Sequence, residues 1–349
     1  MNSNKSYFAA ANGYDGFKSY FGEVFNSDDY TRIFVLKGGP GTGKSSLMKA
    51  ICTNLENKGA MCERIYCSSD PASLDGIICE KEDKRVAIID GTSPHERDAV
   101  IPGAIDEIIN LGENWSPDWL TSKREEVLDL CKEKKNAYLT AYSYLKIAGE
   151  ASRQAKRHLY CGYDANKLKK GAKSLADSLK TKNGGNVKTR LISSFGKLGR
   201  HGLDTFNLSA RQKYSVKGDI TFVHDFLNYL KEELYERCAD MTVAPSPLDK
   251  TATEAIFLPG EDILISTSEG GNIIDVESMV TEKDKTVSEK IKAMREIESI
   301  SLENSARWFS IASDMHFRLE EIYQTSMNFE ENDKIIKEKS KVLSEILGL

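Results

Sequence analysis

At 349 residues the chain exceeds one average domain; at roughly 100–200 residues per domain it suggests about two, long enough for a core that needs no disulfides. An apolar fraction of 40% with 9% aromatics excludes a wholly disordered chain, and no apolar run approaches the roughly 18 residues of a membrane span. The net charge of −5, from 48 Lys and Arg against 53 Asp and Glu, gives no global sign of a polyanionic partner.

The apolar stretch at the start, Tyr7–Ala11 after Lys5, is too short for a signal peptide, so a cytoplasmic protein without membrane association is expected. Seven cysteines (Cys52, Cys62, Cys67, Cys79, Cys131, Cys161 and Cys238) form no Cys-x-x-Cys pair. They are expected to be reduced, with Cys62 and Cys67 as core or strand residues rather than metal ligands.

Ile33–Leu36 is a short β-type apolar run, and a glycine-rich turn follows it. Leu47, Ala50, Ile51 and Leu55 then recur on one helical face, and Lys58-Gly59 ends it. Between strand and helix, Gly38, Gly39, Pro40, Gly41, Thr42, Gly43, Lys44, Ser45 and Ser46 carry the pattern G-x-x-x-x-G-K-[S/T]. Glycines let backbone N–H groups turn inward around a polyphosphate, and the helix N-terminus adds partial positive charge. Lys44 is expected to reach the β- and γ-phosphates, and Ser45 to help hold Mg²⁺.

Arg64–Tyr66 reads as a second strand running into a polar loop with Ser69, Asp70 and Asp75 as candidate contacts to Mg²⁺, water or substrate. Val86–Ile89 is a third apolar run, closed by Asp90, which is assigned as the Mg²⁺-associated carboxylate. Gly91 follows it where many ATPases place a water-activating Glu. His95 and Glu96, in the loop beyond, are the candidates to orient the nucleophile. No Asn/Thr-Lys-x-Asp guanine reader occurs, which favours ATP over GTP.

Residues 117–159 read as a long helix with Leu120, Val127, Cys131, Tyr138, Tyr142 and Leu145 on one face. Residues 151–217 hold 16 Lys and Arg against three acids, Asp164, Asp177 and Asp204, a local +13 that leaves −18 for the rest. Nucleic acid, phosphates or the acidic remainder of the protein would suit that block. Arg153, Arg157, Arg190 and Arg200 are candidate arginine fingers within it.

A shift of 180 residues lays Arg32–Gly38 over Gln212–Gly218, and Ala87–Asp90 falls on Ile263–Ser266 with a small gap. In this overlay Lys44 faces His224, Ser45 faces Asp225 and Asp90 faces Ser266, so the phosphate chemistry is gone from the second half. The C-terminal region is acidic and helical, with Trp308, Ala312, Met315, Leu319 and Ile322 in helical spacing.

Several segments together resemble an uncharacterised bacterial family of P-loop ATPases built from two tandem P-loop halves. They are Tyr7–Phe17, Lys37–Ser46, Cys67-Ser-Ser-Asp70, Ser73–Gly76, Ile89–His95 and Pro102–Gly112. The resemblance implies the fold and nucleotide binding but no substrate. Its second half tends to keep a glycine loop, and this chain departs there.

The expectation is an α/β P-loop NTPase with a parallel sheet, flanking helices, a degenerate duplicate half and helical insertions. Its divisions are 1–116 (nucleotide-binding), 117–211 (helical and basic insertion, a lid or arm), 212–285 (degenerate half) and 286–349 (C-terminal helices). The leading function is a Mg²⁺-dependent ATPase with one site. A small-molecule or nucleotide kinase and a nucleotide-gated module binding nucleic acid or protein are the alternatives, and a homo-oligomer is a candidate assembly.

Overall fold

The computed structural model describes residues 5–179, 181, 184–203, 210–282, 284 and 286–349. Lys180, Lys182 and Asp204 of the basic block lie outside the described residues.

The chain runs one series of elements twice. The first series opens with strand β1 (Lys5–Phe8), the hairpin β2 (Ala10–Gly13) and β3 (Gly16–Ser19), a helical turn α1 (Phe21–Val24) and β4 (Arg32–Lys37). Helix α2 (Lys44–Asn57) and β5 (Met61–Tyr66), β6 (Leu74–Lys81), β7 (Lys84–Asp90) and β8 (Asp106–Asn110) follow. It ends in helices: the short α3 (Pro117–Ser122), the 39-residue α4 (Arg124–Gly162), a two-residue strand β9 (Tyr163–Asp164) and α5 (Asn166–Ser178). The second series comprises β10 (Val187–Thr189), the hairpin β11 (Ser193–Gly196) and β12 (Gly199–Gly202), β13 (Gln212–Lys217), α6 (Ile220–Glu236) and β14 (Met241–Pro245). Then come β15 (Thr253–Leu258), β16 (Ile263–Ser266), β17 (Asn272–Asp275), β18 (Thr281–Glu282), the 40-residue α7 (Val287–Ser326) and α8 (Phe329–Leu347).

Two six-stranded sheets result, with the same plan: β1-β5-β6-β7-β4-β8 and β10-β14-β15-β16-β13-β17. Both are mixed rather than parallel. β6 runs antiparallel to β5 and β7, and β15 to β14 and β16. The reason is connection length: Glu82 and Asp83 alone join β6 to β7, which permits only a hairpin, whereas parallel neighbours need a crossover such as α2.

Alternation along the strands explains the layering. Ile33 and Val35 of β4 face inward, against Ala255, Phe257 and Leu264 of the other sheet. Phe34 and Leu36 face outward, beneath Leu47, Ile51 and Leu55 of α2. On the second sheet Ile256 and Leu258 point out to Phe226, Leu230 and Leu234 of α6. The two sheets therefore pack face to face and helices cover both outer sides, so the central strands are apolar on both faces, as the sequence runs require.

Helices α4 and α7 form a long antiparallel pair: Trp115, before α4, bridges to Met327, after α7, and Asp284 N bonds Gly162 O at the other end. The helical spacing expected for residues 117–159 holds for Leu145, Tyr138, Tyr142, Leu120 and Val127, which pack in the seam. Cys131 departs from it and is exposed.

Two expected boundaries move. The second sheet begins at Val187, not near residue 212, because β10 pairs with β14. The C-terminal helices are no separate unit either, since Leu343 and Leu347 of α8 join the core over α2. A third correction concerns the cysteines. Cys62 and Cys79 lie directly across the β5–β6 ladder, Cα atoms 4.2 Å apart, and are joined as a disulfide, because antiparallel pairing places the two side chains side by side. The other five are free.

In the second half, α6 starts at Ile220, so only Gly218 and Asp219 stand between β13 and the helix, and His224 and Asp225 lie in its second turn where Lys44 and Ser45 head α2. Asp225 is bonded by Tyr160 and Lys156. Ladder register also shifts the overlay by one residue. Ile33 pairs with Ala87 and Lys213 with Leu264, so the counterpart of Asp90 is Thr267, one step beyond Ser266.

Candidate functional site

The glycine loop joins the end of β4 to the start of α2. Gly43 caps α2 in the left-handed region at φ 87, and Gly41 adopts φ 68. A side chain at Gly41 would also lie 2.6 Å from the Glu320 carbonyl oxygen of α7, so both conformation and space demand glycine there. Thr42 Oγ1 donates to Gly39 O at 2.9 Å. From α8, Asn332 Nδ2 donates to Thr42 O at 2.9 Å, and Asn332 Oδ1 accepts from Asn114.

Lys44, the first residue of α2, folds its Nζ back over the loop, 2.9 Å from Gly38 O and 2.7 Å from Gly39 O. The same nitrogen is 3.7 Å from Asp90 Oδ2. β7 lies directly beside β4, with Asp90 opposite Leu36, which brings the end of one strand to the mouth of the loop on the other. Asp90 Oδ1 accepts from Thr92 N and Thr92 Oγ1 at 2.9 and 2.6 Å. Burial raises the Asp90 carboxyl above the usual range, while Lys44 and Thr92 oppose the rise.

A cavity of about 910 Å³ opens in front of these groups. It is lined by the whole loop from Gly38 to Ser46, by Asp90 and by His95. His95 is no solvated loop residue. Its Nε2 lies 3.0 Å from Asp75 Oδ2, its ring stacks on Phe21 with centroids 4.3 Å apart, and its Nδ1 is buried with no hydrogen-bond partner among the described residues. Glu96 is not brought to the cavity. It is exposed and borders an adjoining depression with Lys37 and Asp98. Asp70 lines the cavity and accepts from Ser73 Oγ of its own loop at 2.9 Å.

The opposite walls come from segments far away in sequence. α4 contributes Lys134 and Tyr138, α7 contributes Phe309, His316 and Glu320, and the β11–β12 turn contributes Lys197. Sequence reading missed these as site residues. The available signal was that Phe309, Ser313, His316, Glu320 and Gln324 share one helical face. Burial pushes the His316 imidazole down to about 4, helped by Lys134, Lys44 and Lys197, and burial lowers Lys134. Burial, then Asp70, raises Glu320, against Lys44 and Lys197. None of Arg153, Arg157, Arg190 and Arg200 lines the cavity. Arg190 pairs with Glu63 and Arg200 with the buried Glu254. The lysines of α5 in the basic block (Lys167, Lys169, Lys170 and Lys173) are exposed elsewhere.

The donor set at the loop fits a magnesium ion. Mg²⁺ takes few protein ligands and completes its octahedron with water and phosphate oxygens. Ser45 Oγ and the Asp90 carboxylate are the oxygens the chain offers. Ser45 Oγ accepts from Leu74 N at 3.0 Å, which fixes its position at the head of α2.

A family model described as Nephrocystin 3, N-terminal, matches residues 18–78, the stretch from β3 to β6 that contains the glycine loop. No curated protein and no solved structure matches the chain. No helix among the described residues is long and apolar enough to cross a membrane.

Proposed function

We propose that the chain is a Mg²⁺-dependent P-loop nucleoside triphosphatase that binds ATP at one site, in its first half, and hydrolyses it. The observation that carries this reading is the meeting of three groups at the mouth of one cavity: the glycine loop at the head of α2, Lys44 folded over it, and Asp90 3.7 Å from Lys44. Loop N–H groups and the α2 terminus bind the β- and γ-phosphates, and Lys44 exchanges its loop carbonyls for phosphate oxygens. Ser45 and Asp90 hold Mg²⁺, which neutralises charge on the β- and γ-oxygens when bound. In hydrolysis a water oxygen bonds to the γ-phosphorus while the bond to the β–γ bridging oxygen breaks, its electron pair leaving on ADP. His95 lines the same cavity, its Nδ1 has no hydrogen-bond partner among the described residues, and it takes the proton of the water, with Asp75 holding the ring through Nε2.

One feature favours a second reading, a small-molecule kinase. Gly91 follows Asp90, and the Asp75–His95 pair would serve an acceptor hydroxyl as well as water. Turnover of a nucleotide panel by wild type and Lys44→Ala, with and without nucleic acid and a metabolite panel, tests both. Equal affinity and turnover in the two proteins would refute the site. ATP consumption that releases inorganic phosphate without a phosphorylated acceptor favours hydrolysis.

A further inference from the structure

The two halves exchange their hairpins. The β2–β3 turn of the first half reaches the second, where Tyr14 N bonds Leu248 O at 2.9 Å. The β11–β12 hairpin of the second half reaches the first, where Ser194 Oγ donates to Ser68 O at 3.0 Å and Phe8 N bonds Leu191 O at 2.8 Å. Each tip also abuts the long helix that follows its own sheet. Tyr14 packs against Gly149 of α4, and Lys197 Nζ lies 3.2 Å from Ser313 Oγ of α7.

The two tips differ in chemistry. Tyr14 donates to Glu298 at 2.5 Å, and Glu298 is tied through Arg295 to Asp219, so that side is neutralised internally. Lys197 lines the cavity in front of the glycine loop, and its ammonium is held by the Ser313 hydroxyl and the Phe317 ring rather than by a carboxylate among the described residues. Its ammonium sits 4.7 Å from the centroid of Phe317 and acts together with Lys44 on His316 and Glu320. An ammonium held by an aromatic face and a hydroxyl, facing a phosphate loop, keeps its charge available for a ligand.

We propose that Lys197, delivered by the second half, contacts the terminal phosphate of the nucleotide bound by the first half and neutralises the charge that develops there during transfer. This rests on the nucleotide reading above and gives the half without a glycine loop a direct part in the chemistry. It also moves the finger role from the four arginines to a lysine on a hairpin tip.

The test compares wild type, Lys197→Ala and Lys197→Arg in the full chain. ATP and ADP affinity, kcat, and trapping of ADP with aluminium fluoride, which mimics the transferring phosphoryl group and needs no acceptor, are measured. The expected result for Lys197→Ala is ATP affinity within about threefold of wild type, kcat lower by roughly 10²-fold or more, and loss of trapping, with Lys197→Arg recovering part of both. Wild-type kcat and trapping in Lys197→Ala would overturn the proposal, as would a loss of ATP affinity as large as the loss of kcat. Wild-type protein that binds neither ATP nor ADP would overturn the nucleotide reading itself, a result distinct from either.

Discussion

The imidazole of His95 is held 3.0 Å from the Asp75 carboxylate in the wall of the cavity that faces the glycine loop. A carboxylate on one ring nitrogen fixes the orientation of the ring and leaves the other nitrogen free to exchange a proton. His95→Gln is expected to lower kcat by about 10²–10⁴-fold while ATP affinity changes little, and Asp75→Asn to give a smaller fall of the same kind. Steady-state turnover beside equilibrium binding checks this. Unchanged kcat in His95→Gln would move the base elsewhere.

Lys44→Ala removes a side chain that touches both the loop carbonyls and the Asp90 carboxylate. Loss of a charge-assisted contact to phosphate of about 1.5–3 kcal/mol corresponds to roughly 10–150-fold weaker ATP binding. Calorimetric titration reads it directly.

Phe309 joins three elements. Its ring meets Tyr138 and Tyr142 of α4 and Phe195 of the β11–β12 hairpin, with centroids 5.6–6.2 Å away. It is 3% exposed. Phe309→Ala should cost about 3–5 kcal/mol and be visible as a lowered urea midpoint. A midpoint at the wild-type value would show that the helical arm is uncoupled from the rest.

Burial, then Arg200, pushes His224 of α6 down to about 4 from 6.5. The folded state keeps this ring neutral, whereas the unfolded chain takes up the proton below about pH 6.5. Between about pH 6.5 and 4 the unfolded state therefore binds more protons, and stability falls as pH falls. His316 contributes with the same sign. Urea midpoints at pH 7 and pH 5 should differ in this direction, and His224→Gln should narrow the difference. An equal difference in the variant would exonerate His224.

Thiol titration of unfolded, unreduced protein should find five cysteines, rising to seven after reduction. Seven before reduction would show that Cys62 and Cys79 are not joined.

How much the sequence disclosed follows the range of the interactions. The loop, Lys44 and Asp90 were legible because a strand, a glycine turn and a helix are specified within about 30 residues, and β7 beside β4 needs only one apolar run ending in an acid. β6 is poorly marked in the sequence. Its apolar core, Ile77–Cys79, sits between polar turns that read as loop, and its antiparallel direction depends on Glu82 and Asp83 alone. The cavity walls were illegible for a different reason. Phe309, His316 and Glu320 lie some 270 residues from the loop and reach it only through the pairing of α4 with α7. The basic block is legible as a charge count, but charge density does not tell which of its lysines is carried on a hairpin tip into the other half.

The packing of α8 on α2 sets an order of assembly during translation. Lys44 leaves the ribosome almost 300 residues before Asn332, Leu343 and Leu347, which bond Thr42 and cover α2. Until then the outer face of the nascent first sheet lacks part of its cover, and the helix that carries Lys44 is held from one side only. At synthesis rates of about 5–20 residues per second this interval lasts roughly 15 seconds to a minute. The glycine loop is thus among the first parts of the molecule to be synthesised and among the last to be enclosed.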